Sequence, residues 1–258
     1  ASELDPRSTH KALEVAITHA PMRNYAEAER YCDRAISLAP DLPDAYLIKM
    51  WLYVVWQGSA ENARAVYRDA LERVGPGELA SGSFPPGMGG VAVRIIGDEY
   101  AENFLRLPAG SVGDSAGHFL LRAEVHGRRG ERELEYAYYD SARVISEAAV
   151  EERRAGYLVH MQLGRAYAGL GRKEEAIRAG QRAVDALPVS RDAFWGPLTI
   201  ANLAMIYVVV GEHDAALDRL EYLLSIPSDM SIPLLQTDPI WAPLRDHPRF
   251  QRLVEGNR

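Results

Sequence analysis

One stretch in the second half of the chain constrains the fold most, because its small and large residues recur at fixed spacing. Residues 157–190 contain an amphipathic segment, a glycine turn, and a second amphipathic segment that ends before a proline. Small residues suit positions where two helix backbones approach closely, and a proline cannot continue the second helix. The positions that carry this pattern are Leu163, Gly164, Tyr167, Gly171, Ala176, Ala183 and Pro188. The stretch therefore predicts two antiparallel helices joined by a short turn.

This helix–turn–helix pattern of 34 residues resembles the tetratricopeptide repeat. The resemblance implies an all-α fold, a right-handed α-solenoid of stacked helix pairs with capping helices at its C-terminal end. We predict that residues 1–258 form a single solenoid domain. Its predicted parts are the end of a preceding repeat at 1–8, repeats at 9–42, 43–76, 117–150, 157–190 and 197–230, and capping helices at 231–258.

The repeat pattern is weak between residues 77 and 113. Glycines and prolines in residues 82–90 predict a loop, and two short helices are expected near Val91–Ile96 and Asp98–Leu107. The region is predicted to be either a degenerate repeat or an insertion. A flexible loop that faces a partner is the functional alternative, and a plain insertion is the favoured interpretation.

The first residues of the chain continue the repeat spacing. Ala1 and Pro6 are five residues apart, as Ala35 and Pro40 are, and Pro6 precedes Pro40 by 34 residues. The chain also begins at an alanine rather than a methionine. We therefore expect Ala1 to lie inside the second helix of a preceding repeat, and the chain to be the C-terminal part of a longer solenoid.

Composition narrows the classes of partner. The net charge is −7, and the chain has only three lysines, with its arginines dispersed among carboxylates. No basic stripe is evident, which argues against nucleic acid as a partner. The most apolar window, residues 45–56, is too short for a membrane helix and contains Lys49, so no membrane insertion is predicted. The single cysteine, Cys32, excludes an internal disulfide, and we predict a buried, unreactive thiol.

No active site is predicted from the sequence. Residues 113–117 match G-x-S-x-G, but the hydrolase elbow requires a preceding strand, and a Leu-Pro-Ala-Gly turn stands there instead. Ser115 is therefore interpreted as part of a helix start, although His118 lies three residues on. The stretch 82–90 lacks the Gly-Lys-Ser/Thr of a phosphate-binding loop, and the histidines lack metal-ligand spacing. We predict no enzyme activity, no cofactor and no metal site.

Three stretches resemble a narrower group of proteins: residues 171–194, 217–228 and 238–254. They are similar to the C-terminal tetratricopeptide regions of bacterial multidomain signalling proteins. In that group the repeats follow a serine/threonine kinase, an adenylate cyclase or a winged-helix regulator domain. The resemblance implies a sensory or scaffolding region of a larger, membrane-anchored protein. Such a region could lie on the cytoplasmic or the extracytoplasmic side of the membrane. It implies no kinase or cyclase activity here, and it leaves the compartment open.

The leading hypothesis for function is a protein-interaction scaffold. In the repeat family the first helices line a concave groove, which would accept a helix or extended segment of a protein or peptide partner. Some members of the family bind the C-terminal carboxylate of a partner peptide through a clamp of polar and basic side chains. Only Lys49 matches a clamp position here, which argues against binding of a carboxylate tail. If Trp56, Met161 and Val208 were all covered by their own chain, the hypothesis would fail. The predicted partner-binding positions are Ile48, Leu52, Val55, Trp56, Leu158, Met161, Arg165, Leu198, Met205, Val208 and Val209.

The alternative hypothesis is that the partner is another copy of the chain. Stacked repeats expose apolar end surfaces, and head-to-tail contacts between such surfaces build rings or open filaments. This alternative predicts an exposed apolar first helix near Leu13, Val15 and Ile17 that contacts a second subunit.

Overall fold

The computed structural model describes residues 8–81, 88–107, 115–152 and 154–255. Within these ranges every regular element is a helix, and successive antiparallel pairs give the all-α, solenoid-type architecture that the sequence predicts. The α-helices are α1 (Thr9–His19), α2 (Tyr25–Leu38), α3 (Pro43–Gln57), α4 (Ala60–Arg73), α5 (Pro76–Ser81), α6 (Met88–Ile95), α7 (Asp98–Leu105), α8 (Ser115–Arg128), α9 (Arg132–Glu151), α10 (Tyr157–Gly169), α11 (Lys173–Ala186), α12 (Gly196–Val209), α13 (His213–Ser225), α14 (Ile232–Thr237) and α15 (Pro248–Glu255). A 3-10 helix spans Pro239–Leu244.

The helices fall into two compact units. Unit 1 comprises Ala1–Leu107 and Pro227–Asp238, whereas unit 2 comprises Pro108–Ile226 and Pro239–Arg258. The sequence predicts a single solenoid domain. That single domain stays a prediction, and one segment of the C-terminal stretch packs with the N-terminal helices.

Unit 1 begins with the helix pairs α1–α2 and α3–α4. The Ser8 side chain caps α1 by accepting a hydrogen bond from the backbone N–H of Lys11 at 3.3 Å. α1 ends at His19, before Pro21, as the ring of that proline requires. The pairs pack through small residues that are almost completely buried, among them Ala12, Ala16, Ala28, Cys32, Ala35, Ala63 and Ala70.

The weakly patterned region contributes three short helices to unit 1. α6 and α7 lie close to the two helices expected from the sequence, while residues 82–87 of the predicted loop lie outside the described residues. The Arg64 guanidinium on α4 donates hydrogen bonds of 3.0 Å to the backbone oxygens of Ile95 and Ile96. These bonds satisfy carbonyls at the end of α6, which have no partner within their own helix.

Unit 2 consists of the pairs α8–α9, α10–α11 and α12–α13, with the 3-10 helix and α15. Each pair turns at a glycine in the left-handed conformation, with φ of 74° at Gly130, 73° at Gly171 and 81° at Gly211. In unit 1 the glycine at the turn between α3 and α4, Gly58, has φ of 61°. Gly171 was predicted as a turn, and glycine suits all four positions because it adopts positive φ without the strain that a Cβ atom causes.

The close approach predicted at Gly164 is present in the packing of α10. A Cβ atom there would lie 2.6 Å from Ile206 Cδ1, 3.2 Å from the backbone nitrogen of Gly180 and 3.3 Å from the oxygen of Ala176. The Ile206 side chain can move, but the two backbone atoms of α11 cannot. The spacing of α10 and α11 therefore depends on the absence of a side chain at this position.

We expect Gly164→Val to lower the free energy of unfolding by about 2 kcal/mol, because overpacking costs about 1–3 kcal/mol. Urea unfolding followed by circular dichroism measures the change. Gly156→Val is the matched control in the same unit, since nothing lies within 4 Å of a Cβ atom there and its φ of −91° suits any residue. Equal stability of the two variants would contradict this account of the packing.

The C-terminal stretch, predicted as one capping element, divides between the units. α14 packs against α3 in unit 1, whereas the 3-10 helix packs against α12 and α15 packs against α13 in unit 2. α15 begins at Pro248, and a proline suits the first turn of a helix because its missing N–H needs no partner there. Arg249 anchors it by donating hydrogen bonds to three carboxylates of α13, those of Asp214 at 3.1 Å, Asp218 at 2.7 Å and Glu221 at 3.3 Å.

Candidate functional site

The predicted groove positions on α3 are largely inside unit 1. Ile48, Leu52 and Val55 are buried, and the first two belong to clusters that include Leu13 and Ala28. Trp56 is half-buried and stacks on Tyr25, with ring centroids 5.9 Å apart. The three aliphatic side chains therefore have almost no accessible area, and partner binding at these four positions stays a prediction.

The chain's own residues 227–238 occupy the surface around α3. The backbone N–H of Ser228 donates to the oxygen of Pro21 at 3.1 Å. The Ser231 hydroxyl donates to the oxygen of Val55, and the Thr237 hydroxyl donates to the oxygen of Gly58 at 3.1 Å. We call residues 227–238 the inserted segment.

Close packing supports these hydrogen bonds at the turn between α3 and α4. A Cβ atom on Gly58 would lie 2.6 Å from Thr237 Oγ1 and 3.1 Å from the oxygen of Pro233. Gly58 thus serves both the left-handed turn and the seating of the inserted segment.

A buried ion pair holds the end of the inserted segment. Arg94 on α6 donates from Nε to Asp238 Oδ1 at 2.7 Å and from Nη2 to Oδ2 at 2.8 Å. The two side chains are only 9% and 2% exposed. This bidentate contact fixes both the distance and the relative orientation of the guanidinium and the carboxylate, whereas a single hydrogen bond would leave the orientation free. The lone arginine within the apolar run of α6 was the sequence signal that could have pointed to a buried partner.

Asp229 brings a second carboxylate into unit 1. Burial raises the pKa of Asp229 to about 6, and the nearby Trp51 indole partly offsets that increase. The residue retains some exposed surface, and Trp51 Nε1 makes no hydrogen bond of ordinary geometry, so the compensation is weak. Burial also raises the pKa of Tyr25, with a smaller contribution from Asp229. Docking of the inserted segment therefore carries an electrostatic cost at neutral pH.

The predicted positions on α10 and α12 of unit 2 are more accessible than those on α3. Met161 and Val208 are buried, whereas Val209 is 50% exposed. The groove hypothesis would fail if Trp56, Met161 and Val208 were all covered by their own chain. Two of these three residues are covered, while Trp56 is only half-buried. The remaining predicted positions, Leu158, Arg165, Leu198 and Met205, are half-buried.

Helical spacing places the accessible positions in stripes. Leu158 and Arg165 are seven residues apart on α10, and Leu198, Met205 and Val209 follow at intervals of seven and four on α12. α10 and α12 pack against each other. Arg165 forms an ion pair with Glu124 of α8, a partner that sequence analysis missed. The accessible predicted positions on α12 are therefore all apolar, whereas those on α10 include an arginine that is already ion-paired.

The described residues hold no recognisable catalytic arrangement. Ser115 is the exposed first residue of α8, while Gly113 and Asp114 of the G-x-S-x-G match lie outside the described residues. His118 is buried, and its Nε2 accepts a hydrogen bond from Arg122 at 2.7 Å. Burial and the Arg122 charge lower the pKa of His118, so the ring is neutral and its accepting nitrogen already has a donor.

Other potential reactive groups are equally constrained. Cys32 is fully buried, and burial raises the pKa of its thiol to about 12, so the thiol stays protonated at neutral pH. Across residues 8–81, 88–107, 115–152 and 154–255, no group of three His, Cys, Asp or Glu side chains could hold a metal ion. None of the helices in those ranges combines the length and apolarity needed to span a membrane.

The surface expected for end-to-end self-association is reduced. Leu13 is buried in the α1–α2 core, and Ile17 packs against the same cluster. Val15 is half-buried. Residues 1–7, which were predicted to continue a preceding repeat, lie outside the described residues. Self-association through this helix stays a prediction.

Comparison with known proteins supports the repeat resemblance in one helix pair. The tetratricopeptide repeat family model matches residues 158–186, which cover α10 and α11. Cellulose synthase operon protein C of Xanthomonas axonopodis pv. citri (strain 306) is 29% identical over 165 residues, covering 64% of this chain. The aligned part is 10% of that protein, so this chain spans a small fraction of its relative's length.

A solved structure gives a weaker likeness. It is described as the crystal structure of YrrB, a TPR protein with an unusual peptide-binding site. The match covers 98% of this chain and 94% of that chain, with 14% sequence identity and a TM-score of 0.29. The residue contacts of that protein are therefore not transferred to this chain.

Proposed function

We propose that the chain is a non-enzymatic protein-interaction scaffold, and that the accessible stripe on α12 of unit 2 is its main contact with a partner. The observation that carries the proposal is the exposure of Val209, at the end of a helix whose other side chains are mostly apolar and buried. Met205 and Leu198 extend the same stripe. Apolar stripes of this spacing receive an amphipathic helix or an extended segment of another protein.

The proposed parent is a larger bacterial signalling protein, in which this chain forms the repeat region. Residues 171–194, 217–228 and 238–254 support this proposal by their resemblance to such regions. The long bacterial relative, of which this chain matches 10%, is consistent with repeat units that lie within a larger chain. The chain's contribution would be to position a partner protein, with any chemistry supplied by other domains.

Replacement of Val209 by aspartate tests the proposed contact. We expect Val209→Asp to reduce recovery of a specific partner from the source lysate at least fivefold, because a charge placed in an apolar contact must be desolvated. Val144→Asp is the matched control, since Val144 is 51% exposed on α9. α9 is the second helix of its pair, and the predicted groove positions lie on first helices. Quantitative mass spectrometry of affinity-purified samples measures the difference.

Three results would contradict the proposal. The first is undiminished recovery by Val209→Asp, and the second is an equal loss with Val144→Asp. The third is the absence of any protein enriched by the wild type over the bare affinity matrix. Melting temperatures of the two variants, compared with the wild type, show whether a loss reflects unfolding rather than a lost contact.

A further inference from the structure

The inserted segment identifies an interaction surface that is distinct from the stripe on α12. We propose that the surface of unit 1 around α3 binds residues 227–238 of a second copy of the chain, so that two copies exchange inserted segments and form a dimer. The proposal concerns unit 1 alone and does not depend on the proposed contact at Val209.

The structure shows the recognition chemistry directly. The surface offers the carbonyl oxygens of Pro21, Val55 and Gly58 as acceptors and the Arg94 guanidinium as a donor. The inserted segment supplies the complementary groups, which are one backbone N–H, two hydroxyls and one carboxylate. Val55 and Gly58 belong to the C-terminal end of α3, where carbonyls lack partners within the helix. An occupant must therefore carry hydroxyls and a carboxylate at the spacing of Ser231, Thr237 and Asp238.

The path of the chain allows exchange of the inserted segment between copies. The continuous part of unit 1 ends at Leu107, and the inserted segment begins 120 residues later at Pro227. The residues on both sides of the segment, up to Ile226 and from Pro239, belong to unit 2. Unit 1 is thus completed by a piece of chain that is not continuous with its other helices.

A second copy carries an identical segment and would make identical contacts with the same surface. Covalent connection favours the copy's own segment through its higher effective concentration. Exchange of an identical element between protomers is a low-cost route to a dimer for this reason. The dimer is expected to increase with protein concentration and to be favoured by any change that weakens the intramolecular contact alone.

Charge reversal of the buried ion pair separates the two arrangements. Arg94→Asp and Asp238→Arg each place like charges together when a chain uses its own segment. In a mixture of these two variants, exchange gives one site with the native pair and one with the reversed pair, both attractive. We expect the mixture to contain at least tenfold more dimer than either variant alone, measured by size-exclusion light scattering. The double variant Arg94→Asp/Asp238→Arg is the control and should remain monomeric at the same concentration.

A mixture that stays monomeric while the double variant folds would overturn the proposal. A second measurement decides the question if the charge-reversed variants fail to fold. A donor dye at Gln236→Cys in one copy and an acceptor dye at Gln57→Cys in the other approach each other when one copy's segment lies on the other's unit 1. Both positions are exposed, whereas Cys32 is buried and escapes labelling. Energy transfer that grows with concentration supports exchange, and its absence up to millimolar concentration overturns it.

Discussion

Arg94→Met is expected to lower the free energy of unfolding by about 3–5 kcal/mol, because it removes the positive charge that faces the buried Asp238 carboxylate. The side chains of this pair are 9% and 2% exposed and make two hydrogen bonds of 2.7 and 2.8 Å. Urea unfolding measures the loss, and hydrogen exchange mass spectrometry locates it. We expect faster exchange in α3 and α14 of unit 1, with α10 and α11 of unit 2 unchanged.

An exposed pair of the same residue types provides the control. Arg73 and Asp69 on α4 are 51% and 46% exposed, with their closest atoms also 2.7 Å apart. Arg73→Met should therefore cost less than about 1 kcal/mol, as exposed pairs do. The double variant Arg94→Met/Asp238→Leu should recover most of the loss, since apolar groups of similar size can replace a buried ion pair. A loss from Arg94→Met no larger than that from Arg73→Met would contradict the assigned role of the buried pair.

Asp229→Asn is expected to stabilise the protein at pH 7.5 by about 2 kcal/mol. Burial raises the pKa of Asp229 from 3.8 to about 6, so the folded state keeps its proton to a higher pH than the unfolded state does. At pH 7.5 the carboxyl is ionised in both states, and its burial in the folded state costs stability. A shift of two pKa units corresponds to about 3 kcal/mol, and the residual exposure of the residue reduces that figure. Asparagine has nearly the same shape and carries no charge, which removes the cost.

The pH dependence gives the sharper form of this prediction. Because the folded-state pKa is raised, the wild type loses stability as the pH rises from about 4 to about 6, and the loss is complete above that range. The advantage of Asp229→Asn should thus be largest at pH 7.5 and vanish near pH 4. Asp41→Asn, at an exposed position of the same unit, should change stability by less than about 0.5 kcal/mol. A destabilised Asp229→Asn variant at pH 7.5, or an advantage independent of pH, would show that Asp229 is not the cause.

Local features of the helix pairs were predictable from the sequence. The turn at Gly171 was identified from the sequence and has a positive φ, and the Ser59 side chain caps α4 by accepting a hydrogen bond from the backbone N–H of Asn62 at 3.1 Å. The small packing positions Ala16, Ala28, Ala35, Ala176 and Ala183 are all buried. These features depend on residues within about four positions of each other, so their physical cause is contained in a short stretch of sequence.

The candidate surfaces were only partly predictable. The helical period identified Ile48, Leu52 and Val55 as apolar positions of a first helix, but it could not show that the chain's own residues bury them. The same period placed Val209 on α12 as an accessible position, and its role in partner binding stays a prediction. A pattern of apolar residues requires burial, and it does not specify what provides that burial.

The sequence alone thus determined the helical character of the described chain, the positions of its turns and the small residues at helix contacts. Only the tertiary structure decided that residues 227–238 complete unit 1 and that Arg94 meets Asp238, 144 residues further along the chain. The physical reason is range. Caps, turns and helical faces are set by neighbouring residues, whereas the seating of the inserted segment requires a surface that exists only after distant helices have packed together.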